Sequence, residues 1–377
     1  MAIELKQFIS TDTGWKKLNK YKEIMSMIKR LLTTSIVALL YLSAPFTYSE
    51  SSEDMLYTVK KDDTVWAVCK TYVTDPLCWK KLADYNQLAN PKYLPPNSTL
   101  RIPKAWLIDR STTALVIAVE GDVLVERSGS KVEQELVVGD RLSQQDIVKS
   151  MKGTAMIKFA DDSRLLLKAN STIRMASLQF YDPSQLVNTR IELLKGRVKA
   201  QVERLSNKNS EYKISTPAAV AAVRGTEFRV GSSENDVGAV IMRTELLTGA
   251  LNVGSDINQQ NITTGQAVMA IEGEGVKDPV DLLPRPLMAL NEEKEFQLPF
   301  NIQWKKIDSA VAYKITLMTE DSQIWEKSTI ETSIAIDDIL PGRYQLLIRG
   351  VDGQGFEGRN RRLQLELPAS DLLPSGQ

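Results

Sequence analysis

The sequence predicts a mainly β, multidomain protein. It reads as a small βααβ unit near the N-terminus, a β-roll or β-helix-like body in the middle and a β-sandwich at the C-terminus. Three observations predict this. With 377 residues the chain exceeds one compact core and has the length of two to four domains. From Ala114 to Glu272 short alternating strands are punctuated by Gly and Asp, and about six more strands follow in the last 70 or so residues, the spacing of a sandwich. Helical periodicity, by contrast, is confined to a short stretch after residue 57.

Composition narrows the function. Hydrophobic residues are 43% and charged residues 25%, the balance of a folded protein. Lys plus Arg equals Asp plus Glu, 47 each, so the global basic field of a nucleic-acid binder is missing and no nucleic-acid partner is expected. There is no histidine, which excludes a His-based triad and His-containing zinc sites. Two cysteines cannot make an all-thiolate zinc site. No metal, cofactor or catalytic residue is therefore expected. Carboxylate-dependent hydrolysis stays formally open.

Lys29 and Arg30 precede an apolar run, Leu31 to Phe46, broken by Thr33, Thr34 and Ser35 and followed by small polar residues. This pattern predicts a secretory signal within residues 1–50, cleaved near Ser49 to Ser51. The run is short for a bilayer span, which takes about 20 apolar residues. A true start at Met25 or Met27 would make the signal conventional. The competing expectation is a cytoplasmic tail on an uncleaved anchor.

Residues 55–106 form the first predicted domain. Tyr57 to Val59 alternate as a strand. Asp63 and Thr64 are good N-cap residues, and Val65, Trp66, Val68, Cys69 and Tyr72 give the next helix an apolar face. Asp75-Pro76 breaks that helix. Trp79, Leu82, Ala83 and Tyr85 then form the face of a second one, and Leu94-Pro95-Pro96-Asn97 turns the chain into a strand from Leu100 to Ile102. The run Y-T-V-K-K-D-D-T-V-W-A-V-C-K-T-Y followed by W-K-K-L-A-D-Y-N-Q-L-A-N-P-K-Y-L-P-P-N-S-T-L-R-I-P closely resembles a LysM module. That resemblance implies binding of N-acetylglucosamine glycans, peptidoglycan or a chitin-like polymer, in a shallow groove. It places Asp63, Thr64 and Val65 on one side of the groove and Asn90, Pro91, Tyr93 and Leu94 on the other. Two family glycines are replaced here by Asp62 and Asn97, residues that tolerate positive φ. In an oxidising compartment Cys69 and Cys78 could staple the helix pair. The alternative is two buried thiols, and without C-x-x-C spacing redox catalysis is not expected.

Residues 114–272 form the second predicted domain. A-M-I-K-F-A-D-D-S-R-L-L-L-K reads as a hairpin turning at Asp161-Asp162-Ser163. E-L-L-K-G-R-V at 192–198 returns as E-L-L-T-G-A-L at 245–251, with V-E-G-D-V at 119–123 as a looser copy. Repeats with a glycine at one place read as rungs of a roll. The sequence K-I-S-T-P-A-A-V-A-A-V-R-G-T-E-F-R-V at 213–230 resembles the signature of the FecR domain, and G-T-A-M-I-K-F-A-D-D-S and T-T-G-Q-A-V match its other landmarks. The family's named member is the periplasmic part of an iron-siderophore signalling relay. Nothing between residues 1 and 26 looks like that member's sigma-factor-binding portion, so the relay function is not carried over. Arg224 and Glu227 read as structural, with Gly225 relieving a tight turn between rungs.

Residues 273–298 hold Pro279, Pro284 and Pro286 and read as an extended linker. Residues 299–368 then resemble a fibronectin type III module, with Trp304 and Tyr313 as core aromatics and Asp352, Gly353 and Gly355 in the last hairpin turn. Residues 369–377 are expected to be disordered. The reading is an exported, periplasmic or envelope-associated protein that binds wall glycan without catalysis, with envelope proteins as further partners of the roll and sandwich. One rival is a membrane-anchored envelope sensor. The other is a wall-turnover enzyme using carboxylates such as Asp161 or Glu227.

Overall fold

The computed structural model describes residues 54–75, 77–108, 110–181, 186–204, 210–289, 299–337 and 339–367. The signal segment, residues 290–298 and the C-terminal tail lie outside the described residues. Among the described residues no helix is long and apolar enough to cross a membrane.

Strands β1 (Asp54–Thr58) and β2 (Thr99–Pro103) pair antiparallel, with Asp54 opposite Pro103. Helices α1 (Val65–Tyr72) and α2 (Trp79–Tyr85) stand between them in sequence. Thr64 starts α1: its backbone is extended and its Oγ1 accepts the Ala67 N–H at 3.1 Å, a cap worth about 1 kcal/mol. Val65, Val68 and Cys69 share a core with Leu82, Ala83, Leu100 and Ile102. A disulfide joins Cys69 to Cys78, with Cα atoms 5.7 Å apart. The helix faces are narrower than the sequence predicts. Trp66 is 56% exposed, and Trp79 and Tyr85 are also exposed. The inward stripe of α1 runs i, i+3, i+4 from Val65, so position 66 points away from it. Tyr85 instead caps the sheet edge, its hydroxyl donating to Asp54 at 2.8 Å.

The body follows as β3 (Arg110–Ser111), β4 (Ala114–Glu120), β5 (Val123–Glu126), β6 (Glu133–Glu135), β7 (Arg141–Leu142), β8 (Ile147–Ser150), β9 (Thr154–Lys158), β10 (Arg164–Leu167), β11 (Ser171–Tyr181) and β12 (Leu186–Gln201). It continues as β13 (Glu211–Ser215), β14 (Val220–Val223), β15 (Glu227–Glu234), β16 (Val240–Thr248), β17 (Ala250–Gly254), β18 (Gln259–Thr263), β19 (Gln266–Ile271), β20 (Gly275–Val276) and β21 (Val280–Asp281). One sheet runs β7-β4-β9-β10-β12-β15-β16-β19. The other runs β6-β5-β8-β11-β12-β13-β14-β17-β18. Strand β12 belongs to both, and the ring closes as a barrel. Ile157, Leu165, Val198 and Phe228 from the first sheet meet Val148, Ile173, Ile191 and Tyr212 from the second in one core.

The repeated glycines mark the places where the chain changes sheets. Gly121 lies between β4 and β5, Gly196 inside β12 where its pairing switches, and Gly249 between β16 and β17; all three have positive φ. At Gly196 a Cβ would meet Ser171 Oγ at 2.4 Å, and at Gly249 it would meet Thr226 Cγ2 at 2.7 Å. Gly225, at φ 80°, makes the same kind of crossing between β14 and β15. The hairpin β9–β10 turns at the predicted residues, with Asp162 at φ 65°.

At the C-terminus stand β22 (Phe300–Gln303), β23 (Ala310–Met318), β24 (Gln323–Thr329), β25 (Ser333–Ile336), β26 (Gly342–Asp352) and β27 (Arg361–Leu367). They form a β22-β25 pair and a β24-β23-β26-β27 sheet around one core. Trp304 and Tyr313 lie in it, their rings 5.3 Å apart and edge to face.

Two expectations change here. The proline stretch is extended but not free: β20 and β21 pair with β19, and Leu287 O accepts the Lys305 N–H at 2.7 Å. Its backbone polar groups are taken up by both neighbours. The turn predicted at Asp352 to Gly355 forms, closed by the Gly355 N–H on Asp352 O at 3.0 Å, with Val351 paired to Glu357 beyond it, but it does not join β26 directly to β27. The connection from β26 to β27 runs through residues 353–360 and carries Phe356 and Glu357 into the body, where both are buried.

Candidate functional site

The two bends of the sequence-predicted glycan groove are tied together. Asn97 N–H donates to Val59 O at 2.8 Å, and Val59 N–H donates to Ser98 O at 2.9 Å. Asp62 and Asn97 sit at φ 68° and 67°, the left-handed conformation that glycine would take at these turns. The Asp63 carboxylate accepts the Tyr57 hydroxyl at 2.6 Å and the Lys60 N–H at 2.7 Å. Partial burial, then this hydrogen bond, pushes the Tyr57 hydroxyl up from its usual pKa. Asp63 is thus committed to holding its own bend.

Across the groove, Asn90 Oδ1 accepts the Lys92 N–H at 3.0 Å, and Asn90 O accepts the Tyr93 N–H at 3.1 Å. Pro91 is half-buried and the Tyr93 ring is exposed. Val65 and Leu94 depart from the expected arrangement. At 1% and 4% exposure their side chains belong to the module's core, so only their backbone can face a ligand. Small apolar residues beside a bend serve the core first, because burying them is worth about 1.5–3 kcal/mol each.

The carboxylates named for hydrolysis are both occupied. Asp161 Oδ2 accepts the Ser163 hydroxyl at 2.9 Å, and burial raises its pKa. Glu227 lies 2.8 Å from Lys199 Nζ and 3.5 Å from Arg362. Burial would raise its pKa, but these cations outweigh it and hold it low. Arg224 is exposed on the turn before β15.

What sequence reasoning missed is a buried charge cluster on the outer face of the first sheet, which the C-terminal module covers. Glu357 is its centre. Its carboxylate receives Lys314 Nζ at 2.6 Å, Arg229 Nη1 at 2.9 Å, and both Arg197 and Arg349. Glu245 on β16 meets Arg229 Nε at 2.9 Å and accepts the Glu357 N–H at 2.8 Å. Glu326 on β24 takes Lys168 Nζ and Arg349 Nη2, each at 2.6 Å, and the Thr316 hydroxyl at 2.7 Å.

Burial would push the Glu357 carboxyl up, yet Arg349, Arg197, Arg229 and Lys314 together hold it well below the carboxylate range. Burial lowers Lys168 to about 8, against the pull of Glu326. Beside the charges, Met156 and Leu166 of the body meet Met318 and Leu347 of the C-terminal module. One signal in the sequence could have found this surface. In β9 and β10, A-M-I and L-L-L are apolar at both parities, the mark of strands covered on both faces.

Next to this cluster opens a cavity of about 710 Å³, lined in part by Lys152, Arg243, Glu120, Ser233 and Trp325.

Two family models match the chain, in the order in which their residues lie. The LysM domain matches residues 57–103, and FecR protein matches residues 145–251. An uncharacterized protein of Deinococcus radiodurans is 39% identical over 54 residues, 14% of this chain and 21% of that protein. Among solved structures, a candidate anti-sigma factor from Parabacteroides distasonis aligns at TM-score 0.29 and 15% identity, over 35% of this chain and 57% of that one. The extracellular domain of a candidate hybrid two component system from B. thetaiotaomicron aligns at TM-score 0.19 and 9% identity, over 59% and 42%. Likeness at this level carries no argument about fold or function. The chain spans about a fifth of the curated relative and about half of the solved chains.

Proposed function

We propose that this is an exported envelope protein that binds N-acetylglucosamine glycans of the cell wall through residues 57–103 and performs no catalysis. One observation supports the reading: the LysM match falls on a βααβ unit whose two bends are joined by the hydrogen bonds of Val59 with Asn97 and Ser98. In this reading Thr64 at the head of α1, the backbone of Val65 and Leu94, and the exposed Tyr93 ring line a shallow trough between the bends. Aromatic faces and backbone amides are the groups that take a sugar's apolar face and its acetamido group. The FecR-like body and the fibronectin type III-like module present a recognition surface to envelope partners. Supporting the non-catalytic reading, Asp161 and Glu227 are engaged by Ser163, Lys199 and Arg362.

Sedimentation with purified peptidoglycan sacculi tests this. The wild-type chain pellets with the sacculi, and Tyr93→Ala and Thr64→Arg both reduce the pelleted fraction several-fold. Their melting temperatures are measured alongside, because Thr64→Arg also removes a helix cap. Variants that fold and pellet like wild type would remove the trough from the mechanism.

A further inference from the structure

We propose that the cavity between the first sheet of the body and β24 binds a small oxyanion, a phosphate or carboxylate carried on a molecule of roughly mono- to disaccharide size. This goes beyond the glycan trough and does not depend on it.

The argument is one of charge left over. Lys152, Lys168, Arg197, Arg243 and Lys314 line the cavity, against only Glu120 and Glu326. Behind the wall, Arg229 and Arg349 are balanced by Glu245 and Glu357. The buried part of the cluster is therefore neutral, and the positive excess falls on the lining. Such an imbalance in a partly desolvated place is expensive unless a counter-ion enters.

Two of the five cations are placed to receive one. Arg243 donates Nε to Gln354 O at 2.7 Å and Nη1 to Ser233 Oγ at 2.9 Å. Both acceptors are neutral, so among the described residues no carboxylate is bonded to it directly, and further N–H groups remain. Burial, then the nearby Arg197, lowers its pKa against the pull of Glu245 and Asp352. Lys152 makes no ion pair among the described residues, and the Glu120 carboxylate of the same lining accepts the Ser322 hydroxyl at 2.7 Å. A guanidinium fork with a mobile ammonium is a common pair for holding an oxyanion. The volume, about 710 Å³, lies within the range of small-ligand sites. Trp325, with Lys327 Nζ 5.0 Å from its ring centre, offers an apolar wall to the rest of the molecule.

Calorimetric titration of the full chain tests it with two probes that carry no sugar for the trough, inorganic pyrophosphate and a sugar-free wall-peptide fragment that bears carboxylates. At least one is expected to bind saturably, one per chain, with affinity falling as salt rises. The double variant Arg243→Gln/Lys152→Gln weakens that binding tenfold or more. Tyr93→Ala, in the glycan trough, leaves it unchanged. Pyrophosphate alone binding assigns phosphate chemistry, and the fragment alone assigns a carboxylate. Should the double variant melt well below wild type, Lys152→Gln alone, at an exposed position, repeats the test with a several-fold loss expected. The proposal is overturned if neither probe saturates, if the cavity variants bind like wild type, or if Tyr93→Ala abolishes the signal.

Discussion

Glu357 shows how much can rest on one side chain. Four cations point at a single buried carboxylate, and replacing it with an amide leaves them facing one another in a low dielectric. Glu357→Gln should destabilise the joined body and C-terminal module by about 3–5 kcal/mol, readable by chemical denaturation. The same residue sets an acid limit. Its folded pKa lies below its unfolded value, so its contribution is complete above the ordinary carboxylate pKa of 4.5 and is lost as pH falls below it. Glu326 acts in the same direction. Lys168 works the other way at high pH. Its pKa falls from 10.5 to about 8 on folding, so the unfolded chain holds more protons between those values and stability rises with pH across that window. Melting temperature should climb from pH 8 to 10 and climb less in Lys168→Met. A flat profile in the wild type would mean that Lys168 is not so buried in solution. None of this was legible beforehand. Glu357 stands in an ordinary Gly-rich connection, G-Q-G-F-E-G, and its partners come from β12, β15, β23 and β26. Only the three-dimensional register joins them. The two bends are legible at Asp62 and Asn97, where local backbone conformation decides. The burial of Val65 and Leu94 is not, because there the core competes for the same side chains.

At the scale of elements, the glycine echo was the best guide, because it reports a backbone requirement and not a packing preference. Gly196 turns β12 from one sheet to the other at φ 88°, against the Ser171 side chain and backbone. Gly196→Ala should cost about 2–4 kcal/mol, adding a clash to the strain of positive φ. Gly139 has φ 95° but nothing within 4 Å of a Cβ, so Gly139→Ala should cost only about 1 kcal/mol. Equal effects would show that the crossing is no tighter than a surface turn. The helices of the first domain were placed correctly from caps and the proline, but their faces were drawn too wide. Over two turns a stripe three residues wide already fills a small core, and the tryptophans were left outside. Strands meant for a linker were hidden for another reason: prolines announce extension, and an extended segment can as well lie along a sheet edge as run free.

At the scale of the whole molecule, the positions of the cores predict which parts melt together. The first domain has its own apolar cluster around Leu82 and Ile102, stapled by Cys69–Cys78. The body and the C-terminal module have separate cores, but the buried cluster and the Met156–Leu347 contact lie between them. Pulling these two apart would strand Glu357, Arg229 and Arg349 in incomplete pairs, so neither should unfold without the other. Calorimetry of the full chain is therefore expected to show two transitions, not three. Reduction of the disulfide should lower only the smaller one, by about 2–3 kcal/mol for a loop of this length. Glu357→Gln should lower only the larger one. The opposite pattern, in which Glu357→Gln splits the larger transition in two while leaving its upper part unmoved, would mean that the module docks without depending on the body. In the coupled case the cavity beside Arg243 is held by both parts at once. A ligand there would then raise the larger transition and leave the smaller in place, which separates it from glycan bound at the trough.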